Sequence, residues 1–345
     1  MKKTLLAFAS NRCATALLAL LLPGAASAAC NVTYEVQVND NLFTIAEKFL
    51  GNRQSWTTIY YANQAVMVGT SVVAGTSLYI PCAAVAKPEP EPAPSRQDTA
   101  ELKLLTGNNF APFTGEDLPG QGMLTEIMNA AIELAPSAVS YSLTWENDWS
   151  QHLYPLLDTK AFDVGFPWVK PDCEATPKPE SCIKFHYSDS LMTIPVMLFV
   201  RADKEFPFAD DSDILGKSIC RPEGYFTHDL DRSDSNWLAD KKITLIKADT
   251  SEACLQKVLD GEVDALSIDL FSGASSMLKL GVRGTIIPLE RPMSEETMHA
   301  VISKQHARGT THLYRVNAGI KKLKQDGRYQ EIISRHLEQF WTQIN

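Results

Sequence analysis

The spacing of apolar side chains changes period along the chain. Residues 33–38 alternate polar and apolar, which predicts a short strand. Leu42, Ile45, Ala46, Phe49 and Leu50 then recur at i, i+3, i+4, i+7 and i+8, one apolar helical face. Asp40 and Asn41 precede that face, and their short side-chain oxygens suit the free N–H groups of a first turn. A second helix is predicted over Trp56–Asn63, with Trp56, Ile59 and Tyr60 on one side, and a closing strand over 77–81. From about Glu101 onward strands and helices alternate. Strands are expected at 102–106, 139–145, 162–168, 217–220, 243–246 and 263–268, and helices at 123–135, 148–158, 229–239 and 251–260. Two further helices are expected at about 311–325 and 328–341. Such alternation implies mixed, largely parallel sheets covered by helices on both faces. The apolar runs 194–200 and 298–303 read as strands passing between two α/β lobes, which places a cleft at the strand carboxyl ends.

Two stretches fall outside this pattern. Lys2 and Lys3 precede the apolar run 14–22 and the small residues Ala26-Ser27-Ala28, so residues 1–28 read as a secretory signal peptide with an A-x-A cleavage site. The run is too short for a span of about 20 residues. A lipoprotein site at Cys30 would carry a large aliphatic where Ser27 stands. Residues 83–100, with KPEPEPAP at 87–94, hold almost nothing that could pack and read as an extended linker. A periplasmic, two-domain protein follows: a small β-α-α-β unit over 30–82 and a larger one over 101–345, with a first lobe at about 101–195 and 296–345 and a second at about 196–295.

Charge and cysteine count narrow the chemistry. The net charge is −9, and loss of Lys2, Lys3 and Arg12 with the signal leaves −12, a poor balance for binding nucleic acid. Cys13 also leaves, so six cysteines enter an oxidising compartment. Several connectivities are open, near-neighbour pairing giving Cys30–Cys82, Cys173–Cys182 and Cys220–Cys254. No C-x-x-C or H-x-x-x-H pair favours a metal, and no G-x-S-x-G, H-E-x-x-H, Walker or dinucleotide motif occurs, so neither cofactor nor catalysis is expected.

The stretches YEVQVNDNLFTIAEKFLGN, IYYANQ and VVAGTSLYIPC resemble a LysM domain, a family that binds N-acetylglucosamine-containing polymers. The likeness rests on Ile45, Ala46, Phe49, Asn63, Gly75, Leu78, Ile80 and Pro81. It implies a peptidoglycan groove between Asn39, Asp40, Asn41 and Leu42 on one loop and Val66, Met67 and Val68 on the other. Asn39 and Asn41 replace the family's Gly and Thr.

Residues 101–345 resemble family 3 extracellular solute-binding proteins, the two-lobed type II periplasmic binding fold of amino-acid importers. The likeness is carried by TGNNFAPFTGEDLPGQGMLTEIMNAA, FDVGFPW, FHYSDSLM, LGKSICRPEGY, LDGEVDALSID and VNAGIKKLKQDGRYQEIISRHL, in that order. By position it implies ligand contacts at Phe110, Trp168, Arg221, Gly224, Tyr225 and Asp269. An Asp suits a ligand ammonium and an Arg or Lys a carboxylate. Phe110 and Trp168 equally suit the core, and Asp269 a helix cap. The family's carboxylate-gripping Arg is replaced by Cys173, which leaves Lys170 or Arg221 to supply its charge, Lys without the bidentate fork. The resemblance implies a wall-tethered solute-binding protein that captures an amino-acid-like solute for an ABC permease. The alternative is a wall-attached ligand sensor or envelope interaction module without a transport role.

Overall fold

In the computed structural model, residues 30–67, 69–82, 101–137, 139–232 and 235–344 are described. The signal-peptide and linker readings, and Val68, lie outside them. The N-terminal module runs β1 (Val32–Glu35), α1 (Leu42–Leu50), α2 (Trp56–Asn63) and β2 (Ser77–Ile80). Asn41 begins α1, its side chain accepting from the Thr44 N–H while Thr44 returns a bond to the Asn41 backbone. Ile45, Trp56, Ile59, Leu78 and Ile80 are buried between the helices and the antiparallel β1–β2 pair. Asn63 fixes that arrangement: its amide donates to the Ile59 and Tyr79 carbonyls and accepts from the Tyr79 N–H. Cys30–Cys82 ties the two ends, as small modules with thin cores require.

The larger region supplies β3 (Leu102–Thr106), α3 (Met123–Leu134), β4 (Tyr141–Trp145), β5 (Val164–Val169), α4 (Glu180–Lys184), β6 (Phe185–Tyr187), β7 (Met192–Arg201), β8 (Ser218–Pro222), β9 (Thr244–Ala248), α5 (Ser251–Asp260), β10 (Ala265–Asp269), α6 (Leu270–Leu280), β11 (Ile286–Pro288), β12 (Ser294–Ser303), α7 (Gly309–Gln325) and α8 (Arg328–Ile344). Its strands form one continuous sheet in the order β4-β3-β5-β12-β7-β10-β8-β9. The outer pairs on each side are parallel, and the central ones around β12 and β7 are antiparallel. Those two ten-residue strands are the crossings between lobes, paired from Met192↔Met298 to Val196↔Ser294. Cys220–Cys254 ties β8 to α5, and Cys173–Cys182 closes a loop before β6.

Two expected helices form only in part. At 148–158 there is a short π-helical stretch, His152–Leu157, kinked because Pro155 lacks an N–H and forces Tyr154 into an extended conformation (φ −132°, ψ 119°). At 229–239 the described residues hold one 3₁₀ turn, His228–Leu230. There Asp231 accepts from the Leu238 and Ala239 N–H groups, the local side-chain competition that keeps Asp out of helix interiors.

The module docks on the crossing strands. Tyr61 Oη donates to the Thr193 carbonyl of β7 (2.5 Å), Tyr60 Oη donates to Glu295 of β12 (3.0 Å), and Trp341 Nε1 of α8 donates to Thr57 Oγ1 (3.1 Å). Arg53 pairs with Glu290.

Candidate functional site

The first lobe presents an aromatic wall at the carboxyl ends of β3 and β5. Phe110 lies 4.8 Å from Phe113 and 6.1 Å from Trp149 between ring centroids; Trp149 lies 6.0 Å from Trp168 and stacks at 4.6 Å on His152. Trp149 Nε1 donates to the Asn108 carbonyl. Gly107 makes that approach possible, since a Cβ there would stand 2.6 Å from the Glu146 carbonyl and 2.9 Å from the Trp149 ring. His152 Nε2 donates to the Glu146 carbonyl (2.7 Å), which leaves Nδ1 as an acceptor. Burial lowers the pKa of His152, offset in part by Glu146 and Asp148, so the ring stays neutral near pH 7. The Nδ1 of His152 and the indole N–H of Trp168 are buried with no hydrogen bond among the described residues. Trp149 and His152 escaped the sequence reading, hidden in a stretch assigned to a helix.

The second lobe supplies Asp269 and Tyr225. Asp269 closes β10 and caps α6, its Oδ1 accepting from the Phe271 (3.2 Å) and Ser272 (2.9 Å) N–H groups. The Asp269 N–H donates to Tyr225 Oη. Oδ2 makes no hydrogen bond among the described residues, although Asp269 is wholly buried. Burial raises its pKa, against the helix N–H groups and the nearby Ser272 and Tyr225 hydroxyls. Phe271, next but one after Asp269, meets Phe113 at 5.1 Å, so aromatic contacts run unbroken from one lobe to the other.

Arg221 is placed differently. All five of its N–H donors are engaged inside the second lobe: Nη1 with the Phe226 carbonyl and Asp229, Nη2 with Asp229 and Ser267, and Nε with Ser267. Ser294 completes the Asp229 carboxylate. A ligand carboxylate would have to displace Asp229, which sequence could not reveal because Asp229 fell in an expected helix. Gly224 is exposed at a turn with φ +75°, which glycine tolerates best. Lys170 directly follows β5, two residues after Trp168, exposed and without an ion pair among the described residues.

Of the expected glycan loops, Asp40, Asn41 and Leu42 face Thr70, Ser71 and Val72 across a groove of about 500 Å³. Asn39 holds a left-handed turn (φ +72°), Val66 is exposed, and Met67 lines a separate space of about 270 Å³ beside Met192 and Tyr329.

Asp163, His306 and His312 gather within 4.8 Å, the spacing of a metal site. The tautomers oppose that use. His306 Nδ1 accepts from the Arg308 N–H and His312 Nδ1 from Arg315, so both Nε2 atoms carry protons. His306 gives its proton to Asp163 (2.8 Å), and Asp163 also accepts from the Lys103 N–H. The cluster reads as structural.

No protein-family model matches the sequence, and no curated protein is significantly similar to it. Solved structures are similar in shape. A histidine kinase sensor domain with similarity to periplasmic binding proteins matches at TM-score 0.52 and 16% identity, over 68% of this chain and 94% of its own. A Streptococcus mutans structure described for glutathione import through GshT and a cystine ABC importer matches at 0.52 and 18%, over 68% and 94%. A mutant of ArgBP from T. maritima matches at 0.50 and 20%, over 67% and 93%. The larger region therefore has the two-lobed fold of type II periplasmic binding proteins.

Proposed function

We propose that the protein is an exported solute-binding protein that captures a small amine-bearing solute between its lobes for an ABC importer, held at the cell wall by its N-terminal module. The buried, unpartnered Oδ2 of Asp269 carries the reading: a carboxylate withdrawn from water at a strand carboxyl end recruits a cation. The aromatic wall of Phe110, Trp149 and Trp168 suits an ammonium or its aliphatic stem. Lys170 is the uncommitted cation for a carboxylate, if the solute carries one, while Arg221 is spent on Asp229. The wall attachment rests on the LysM resemblance of residues 30–82. The test is a thermal-shift screen of amino acids, amines and muropeptides on the full chain, with cosedimentation on insoluble peptidoglycan. Amines should raise the melting temperature of the wild type and not of Asp269→Asn. Hits confined to ligands without an amine would sink the proposal.

A sensor reading has one observation in its favour. Besides the kinase sensor domain, the periplasmic VFT2 domain of Bordetella pertussis BvgS matches at TM-score 0.51 and 16% identity, over 68% of this chain and 92% of its own. Neighbouring permease and ATPase genes favour import, and a neighbouring kinase gene favours sensing.

A further inference from the structure

The groove beside the N-terminal module has two owners. One wall is Asp40, Asn41, Thr70 and Ser71; the other is Phe208, Ala209, Arg291 and Pro292 from the second lobe, outside the module altogether. Its volume of about 500 Å³ lies in the usual range for a ligand site.

Its charges are already spent. Glu290 pairs with Arg53 and accepts from the Asn41 amide, Arg291 pairs with Asp211, and Asp40 accepts from the Tyr34 hydroxyl and the Gln37 N–H. Arg291 keeps Nη1 buried without a hydrogen bond among the described residues, but its charge is paired with Asp211, and an anion would also meet Asp40 and Glu290; a cation would find no carboxylate without partners. What the groove offers instead is hydroxyls, an amide and apolar surface from Leu42, Phe43 and Val72. Trp56 adds a second, independent sign. It lines the groove, is 1% exposed, and its indole N–H has no acceptor among the described residues. A buried donor without a partner costs free energy that an acceptor on a ligand would recover.

We infer that this groove is a composite site for an uncharged, amide-bearing glycan segment, with the second lobe forming half of it. The inference rests on the wall-binding reading of the module and extends it beyond residues 30–82. Bound glycan bridges module and second lobe, so each contact it makes on the lobe adds to the docking of the two.

The probe is the N-acetylglucosamine tetramer, titrated calorimetrically into the full mature chain. Ser71→Trp and Ala209→Trp fill the groove from opposite walls, and both residues are exposed, so folding is preserved and circular dichroism checks it. Each should weaken binding at least tenfold, and a galacturonate tetramer of the same length should not compete. If Ser71→Trp weakens binding and Ala209→Trp does not, the module binds glycan alone and the composite site is wrong. Binding that survives both substitutions overturns the site as well, and effective competition by galacturonate overturns the uncharged ligand. If the wild type binds neither the tetramer nor insoluble peptidoglycan, the wall-binding reading itself falls.

Discussion

Arg221 and Asp269 lie near the carboxyl ends of neighbouring strands of one lobe and are both wholly buried, yet the structure treats them in opposite ways. Arg221 meets a carboxylate, two hydroxyl contacts and a carbonyl, and every donor is used. Asp269 spends one oxygen on capping α6 and leaves the other without a hydrogen bond among the described residues. Buried polar groups are almost always satisfied within a fold, so a complete set of partners marks a structural element and an incomplete one marks a place for something else. By that criterion Arg221 belongs to the scaffold of the second lobe, and Asp269 is the residue proposed to meet a ligand. As sequence, both had read as ligand contacts.

The largest expected effect breaks the first half of the comparison. Arg221→Ala strands the Asp229 carboxylate in the core and should destabilise the unliganded protein by about 3–5 kcal/mol, the scale of a buried pair losing one partner. Chemical denaturation measures it. A loss below about 1 kcal/mol would mean that Asp229 is not the partner of Arg221 in solution.

A smaller effect comes from a group between the two extremes. His312 is almost fully buried, with Nδ1 bonded and Nε2 without a hydrogen bond among the described residues, and its pKa is lowered to about 4. Burial is the main cause; Asp163 opposes it, while His306, Arg308 and Arg315 add to it. Unfolded histidine titrates near 6.5, so between about pH 6.5 and 4 the unfolded chain binds a proton that the folded one refuses. Stability must therefore fall as pH drops through that window, by an amount on the order of 2–3 kcal/mol from this residue. His312→Gln should flatten the slope of stability against pH there, and an unchanged slope would show that His312 protonates freely in the fold.

Smaller again is the seam between module and crossing strands. Tyr61→Phe removes the bond to the Thr193 carbonyl and should cost about 1 kcal/mol. Because Thr193 belongs to a crossing strand, the same variant should also alter amide exchange in β7. Exchange changed only inside residues 30–82 would show the seam to be passive.

How much of this was readable depended on whether a signal was local. The helix Trp56–Asn63 was legible because Trp56, Ile59 and Tyr60 fall on one side of a single turn pattern. The crossings β7 and β12 were legible in part, as the apolar runs 194–200 and 298–303. Two kinds of feature were hidden. Where Asp, Ser and Asn compete with the backbone, as around Asp231, helix spacing survives in the sequence while the helix does not form. Partnerships were hidden too: Arg221 reads the same whether its fork meets a ligand or Asp229, and Tyr60 and Tyr61 read as helix faces until a second body meets them. Gly107 gave no sign that its missing Cβ admits Trp149.

The smallest effect on stability is the sharpest test of the comparison, because its sign is reversed. Burial raises the Asp269 pKa, so the folded state holds its carboxylate less willingly than water does. From the unfolded carboxylate range up to the raised value the folded state binds the extra proton, and stability falls as pH rises through that interval. Once ionised, the carboxylate is therefore a net burden on the unliganded fold. Asp269→Asn keeps a side-chain oxygen to accept from the Phe271 and Ser272 N–H groups, so the cap on α6 survives while the charge goes. The variant should melt at the same temperature as the wild type or slightly above it, a change of less than about 1 kcal/mol. It should at the same time lose at least tenfold in affinity for any amine that the wild type binds, about 1.4 kcal/mol or more. Stability held while binding is lost is the signature of a ligand contact; a variant that melts well below the wild type would place Asp269 with Arg221, in the scaffold.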